Sequence, residues 1–78
     1  MIRILLSTRL GERRMTQSAL AASTHIRPAT ISHLYNEFSD RIMLEHLDRL
    51  CKELGCNVGD ILVYVPDDDE YTKVVKSN

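Results

Sequence analysis

Between residues 28 and 36 of this 78-residue chain, Ala29, Ser32, His33 and Asn36 recur at i, i+3, i+4 and i+7. At about 100° per residue, that spacing gathers all four on one side of a helix. Ile31 and Leu34 fall on the other side, with Phe38 just past the end. The first side consists of small and hydrogen-bonding side chains. An ordinary solvated helix face carries Glu and Lys, and neither occurs within 28–36. Such a face suits a surface of hydrogen-bonding edges. The major groove of duplex DNA admits one helix, where Ser, His and Asn reach base edges and a small residue such as Ala29 can meet a thymine methyl.

Other chemistries fit the residues less well. On this stripe His33 has no second ligand or partner carboxylate at helical spacing, so it reads as a hydrogen-bonding group rather than a metal ligand or general base. Glu37, four residues on, is expected to form only a surface pair, and His46 beside Glu45 reads as solvated. Cys51 and Cys56 are the only thiols. Two cysteines five apart in a reducing compartment are core fillers or helix-end residues more often than a disulfide. His25, His33 and His46 do not complete a zinc spacing with them. The chain has no glycine-rich phosphate loop and no nucleophile–base pair, which argues against an enzyme and against a cofactor. Phe38 and three tyrosines do not make a basic stacking platform for single strands.

Several signals define the elements that must position the 28–36 face. Ile2, Leu5, Leu6 and Leu10 form an amphipathic stripe that predicts a helix over 2–14. Thr16 is a good N-cap for a helix over 17–24, with Leu20, Ala21 and Thr24 facing inward. Pro28 favours the first turn of a new helix and disfavours a helical conformation at Arg27, so the third helix runs over 28–36. Only His25, Ile26 and Arg27 then join the second and third helices, a joint tight enough to force the steep crossing of a helix-turn-helix. After a loop at Phe38, Ser39 and Asp40, the stripe Leu44, Leu47, Leu50, Cys51 and Leu54 predicts a fourth helix ending at Gly55. Asn57 with Asp60 is a weak capping box for a short fifth helix over 58–63. These signals give an all-α, five-helix domain over 1–65. The acidic tail 66–78, with Asp67, Asp68, Asp69 and Glu70 ahead of Tyr71 to Val75, is either a small hairpin or disordered.

Size and composition bound the rest. Apolar residues make up 44% and charged residues 27% of the chain, the balance of a folded domain. A domain this small has little room for a cleft, so no small-molecule ligand is expected. The opening residues hold only short apolar runs broken by Arg3 and Arg9, too brief for a signal core or membrane span. A cytoplasmic protein without a membrane partner follows. Net charge is −1, but residues 1–36 carry five arginines against Glu12 alone, a net of +4, and residues 37–78 carry five basic against ten acidic side chains, a net of −5. Chance scatter accounts for some of that split, yet a basic half is also what contact with nucleic acid requires.

The stretch TQSALAASTHIRPATISHLYNE, residues 16–37, resembles the helix-turn-helix of the phage-repressor and Cro family, the Cro/C1-type or Xre-like regulators. Gln17 opens its second helix, Leu20 and Ala21 match the family's buried Leu-Ala pair, Ile26 follows the turn, and Ile31 and Leu34 are packing positions. The segment LEHLDRLCKELGCNVGDILVYVPDD is similar to the fourth and fifth helices of a compact bacterial subfamily, and the resemblance covers about 3–68. It implies that Gln17, Pro28, Ala29, Ser32, His33 and Asn36 line a DNA face. Gln17 would hold a phosphate through its side chain or backbone amide, Arg27 would contact a phosphate or a guanine, and Thr16, Thr30 and Arg14 would reach phosphates at the rim. Two positions depart from the family. His25 stands where glycine is frequent, at a turn position that tends to need positive φ, and Pro28 replaces a common base-contacting residue.

The expected function is a sequence-specific regulator of transcription that binds double-stranded DNA. One helix in one groove makes few contacts, so a homodimer on a two-fold site is the expected unit, joined through the C-terminal half with Tyr64 and Val65. The competing reading is a protein-interaction module, an antirepressor or adaptor that keeps the fold but binds another regulator through its apolar C-terminal half.

Overall fold

The computed structural model describes residues 1–66, in the order β1 (Ile2–Ile4), α1 (Leu6–Arg13), α2 (Gln17–Thr24), α3 (Pro28–Tyr35), α4 (Leu44–Leu54), α5 (Val58–Ile61) and β2 (Leu62–Tyr64). The five expected helices are present. The hairpin or disordered tail expected after Pro66 lies outside the described residues.

The chain is not purely helical, because β1 and β2 pair antiparallel with Ile2 opposite Tyr64 and Ile4 opposite Leu62. The apolar spacing of Ile2, Leu5, Leu6 and Leu10 therefore misplaces the start of the first helix. Nothing in residues 1–5 caps a helix, since Leu5 stands at the N-cap without a side-chain hydrogen bond. Ile2 and Ile4 are instead β-branched residues at the two-residue period of a strand. Their partner strand lies some sixty positions away, where local periodicity cannot show it. Leu62 takes φ −117° and ψ 127°, so α5 stops at Ile61 rather than 63. The Leu5 N–H then donates to the Ile61 carbonyl at 2.7 Å, continuing the sheet into the helical body.

One core serves all five helices. Leu6 and Leu10 of α1, Leu20 and Ala21 of α2, Ile31 and Leu34 of α3, Leu47, Leu50 and Leu54 of α4 and Ile61 of α5 are buried together with Ile26. Cys51 and Cys56, both free thiols, pack partly buried at its edge. Burial pushes the Cys51 thiol up, helped by the neighbouring Cys56. Each fully buried Leu or Ile contributes roughly 1.5–3 kcal/mol of transfer free energy. Among the described residues, no helix is long and apolar enough to cross a membrane.

Two residues expected in the apolar stripes face outward. Leu44 is 80% exposed and Phe38 77%. Leu44 lies at the edge of the α4 stripe in the first turn. Phe38 follows the α3 period in sequence, but the helix ends before it and the chain turns away.

How the helices end explains that turn. The Phe38 N–H donates to the His33 carbonyl at 2.8 Å and the Glu37 N–H to the Leu34 carbonyl at 3.2 Å. These are the paired bonds of a Schellman ending, with Glu37 in the left-handed region at φ 59°. Arg14 (φ 52°), His25 (φ 58°) and Gly55 (φ 61°) occupy the same conformation after α1, α2 and α4. Three of these four left-handed positions thus carry a side chain, and His25 confirms the positive φ expected at the turn.

The side chain of Glu37 reaches back across the molecule. Arg3 Nε donates to Glu37 Oε1 at 2.7 Å, Arg3 Nη2 to Oε2 at 2.8 Å, and the Ile4 N–H to Oε1 at 3.1 Å. Glu37 thus forms a surface pair as expected, but with Arg3 rather than His33. The Arg3 hydrogen bonds, then the Ile4 amide, bring the Glu37 carboxyl from its ordinary 4.5 down to about 2.

Two outcomes follow. Glu37 is charged and bonded in the folded state at pH values where an unfolded glutamate is already protonated, so it contributes stability above pH 4.5 that is lost on descent towards about 2. In that window the thermal midpoint of the wild type should fall more steeply than that of Glu37→Gln, and parallel pH curves would refute the assignment. His25→Gly should raise unfolding stability by about 0.5–1 kcal/mol by relieving the left-handed backbone, as read by denaturant titration.

Candidate nucleic-acid interface

The interface begins with a cap. Thr16 Oγ1 accepts the Ala19 N–H at 3.0 Å, which fixes the start of α2 and leaves the hydroxyl proton free to donate outward. Gln17 follows, half-buried. At the other end of α2 the Thr24 hydroxyl, buried, donates to the Leu20 carbonyl at 2.7 Å. Arg49 of α4 reaches the Thr24 carbonyl at 3.4 Å and also holds Glu45 at 2.6 Å. These bonds hold the end of α2 against α4 just before the chain turns.

The turn is as short as the sequence predicts. His25 takes the left-handed conformation, Ile26 is buried at 2% exposure, and Arg27 stands at the N-cap of α3 with φ −57° and ψ 139°. Pro28 occupies the first turn of α3, where its missing N–H costs nothing. Ile31 and Leu34 then bury the inner side of α3 against the core.

On the outer side, Arg27, Pro28, Ala29, His33 and Asn36 are exposed, while Thr30 and Ser32 are half-buried. Ser32 and Asn36 are not independent. Asn36 Nδ2 donates to the Ser32 carbonyl at 2.9 Å and approaches the Ser32 hydroxyl at 3.4 Å. This folds the amide nitrogen back along its own helix. His33 lies at the margin of the face, where with Thr30 it borders a groove shared with Ser39, Arg41, Met43 and His46. His46, expected to be solvated, is half-buried in that groove.

Electrostatics favour an anion at the start of each of these two helices. Neither α2 nor α3 has an acidic residue in its first turn, so the positive ends of both helices are uncompensated. Among the described arginines, Arg3, Arg9, Arg13, Arg41 and Arg49 are engaged in ion pairs. Arg14 and Arg27, both exposed, pair with no described carboxylate. The two arginines picked out by sequence are thus the two left uncommitted. The pairing of Arg3 with Glu37 joins residues 34 positions apart and is not legible in the sequence. The only local sign was a bulky side chain immediately after Asn36, at a helix end where glycine is the usual choice.

The profile of the Cro/C1-type HTH DNA-binding domain matches residues 6–67. The chain is also 38% identical over 60 residues to the uncharacterized HTH-type transcriptional regulator YozG of Bacillus subtilis (strain 168), an alignment covering 77% of this chain and 71% of that protein. Since the profile spans all five helices and the turn between α2 and α3, the chain belongs to the Cro/C1-type helix-turn-helix DNA-binding domain family.

Proposed function

We propose that this chain is a sequence-specific regulator of transcription that lays α3 in the major groove of duplex DNA and works as a homodimer. The observation that carries the reading is the outer side of α2 and α3. It combines small hydrogen-bonding side chains, the uncommitted Arg27 and two helix N-termini, with no carboxylate in the first turn of either helix, and the uncommitted Arg14 lies three residues ahead of Gln17.

Each residue has a chemical role in this reading. Gln17 and the amides at the start of α2 hold one phosphate, with Thr16 and Arg14 beside it. Arg27 takes a neighbouring phosphate or a guanine edge, and Thr30 touches backbone at the rim. Ala29, Ser32, His33 and Asn36 face the bases, with Pro28 adding apolar contact. To read a base with its amide, Asn36 exchanges its bond to the Ser32 carbonyl for one to the base. Residues 1–65 are the DNA-binding unit, and 66–78 form an acidic appendage to it.

One observation supports a second reading. Ile2, Phe38, Leu44 and Tyr64 are large apolar side chains with exposures of 60–80%. In this reading a protein partner covers some of them, either a second copy or, for the adaptor, a different regulator.

Selection from a random duplex pool decides between them. The wild type should enrich a two-fold motif with half-sites about one helical turn apart. Arg27→Ala should weaken binding by about 1–3 kcal/mol if Arg27 holds a guanine. His33→Ala should relax the motif at one position. Arg14→Ala should weaken all duplexes alike and flatten the salt dependence by about one phosphate. Absence of any motif at low salt, together with salt-insensitive capture of another regulator, would favour the adaptor.

A further inference from the structure

The residues that close α3, just past its last turn, have no buried side chain. Ile31 and Leu34 are buried and Tyr35 is half-buried, but Asn36, Glu37 and Phe38 are all exposed. Leu34 and Tyr35 thus pack the last turn itself, but no buried side chain fixes the residues that close it. What does tie that end to the body is the Glu37 carboxylate, which takes two hydrogen bonds from Arg3 and one from the Ile4 amide.

We propose that Glu37 is a positioning residue for DNA reading: held by Arg3 and the Ile4 amide, it locks the end of α3 to β1 and fixes the angle at which Ala29, Ser32 and His33 meet the groove. This rests on the function proposed above. The bonding geometry restricts motion in more than one direction. The Arg3 fork meets both carboxylate oxygens, at 2.7 and 2.8 Å, which opposes rotation of the pair. The third bond, at 3.1 Å, comes from the backbone of a strand whose other edge is paired with β2. The lever is short, because Glu37 directly follows the cap residue Asn36 and its own N–H closes the helix on Leu34.

The backbone at this residue adds a separate argument. Glu37 holds φ 59°, a conformation that glycine adopts without strain and a glutamate does not. Glycine would end α3 equally well but could not reach Arg3. The side chain at this position thus makes a connection that helix termination alone does not need.

That contrast supplies the test. Glu37→Gly removes the tie and relieves the backbone, so the two effects on stability oppose each other and the thermal midpoint should stay within a few degrees of wild type. In the free protein, amide exchange at Ile4 should be slower in wild type than in Glu37→Gly. With the motif selected by wild type, discrimination over random duplex should fall about tenfold, comparable to losing one base contact. Arg3→Met should show the same loss from the opposite partner. Removing a carboxylate raises affinity for motif and random duplex alike, so the ratio isolates position from charge. Equal Ile4 exchange in the two proteins, or a motif read as sharply by Glu37→Gly as by wild type, overturns the positioning role alone. A wild type that selects no motif overturns the proposed function, and this role falls with it.

Discussion

The arrangement of this domain depends on the turn formed by His25, Ile26 and Arg27. With three residues there is no slack: the backbone must pass through the left-handed region at His25 and return to an extended conformation at Arg27 before α3 begins. Burial of Ile26 between these two conformations anchors the turn in the core that also receives Leu20 and Ile31. The crossing of α2 and α3 is thereby set by backbone geometry and a single apolar anchor. The position of every outward side chain of α3 follows from that crossing.

Much of this was legible in the sequence because it is local. Thr16, Pro28, Gly55 and the Asn57–Asp60 pair are punctuation whose effect is felt within one turn, and each marks the boundary it predicts to within a residue. The division of α3 into Ile31 and Leu34 on one side and Ala29, Ser32, His33 and Asn36 on the other follows from a period of 3.6. Non-local features were not legible. Ile2 fits a strand and a helix stripe equally well in isolation, and only Leu62 to Tyr64 decide between them. Phe38 belongs to the α3 stripe by number, but a change of backbone region at Glu37 redirects it to solvent. A sequence pattern assumes that the helix continues, and it fails where the chain turns.

The helix ends also show how local strain and long-range contact combine. Arg14, His25 and Glu37 all carry side chains in a region where glycine is easier. At Glu37 the compensation is visible in three hydrogen bonds to β1. At Arg14 the side chain is left exposed on the side expected to meet phosphate. A residue that is costly for the fold can in this way be suited to the surface it presents.

The β1–β2 pairing has a bearing on the order of folding. The contact of α2 with α3 is close in sequence, whereas pairing Ile2 with Tyr64 closes nearly the whole described chain into one loop. Such closure carries the largest entropic cost and is gained after local contacts form. The pairing of α2 with α3 can therefore form while β1 is still free, and the Arg3 and Ile4 bonds to Glu37 must wait for the strand to arrive. The same bonds are the first to go when the strand lifts away. The domain can then keep its core and its helices and yet lose the fixed direction of α3, so that being folded and being aimed become separate states.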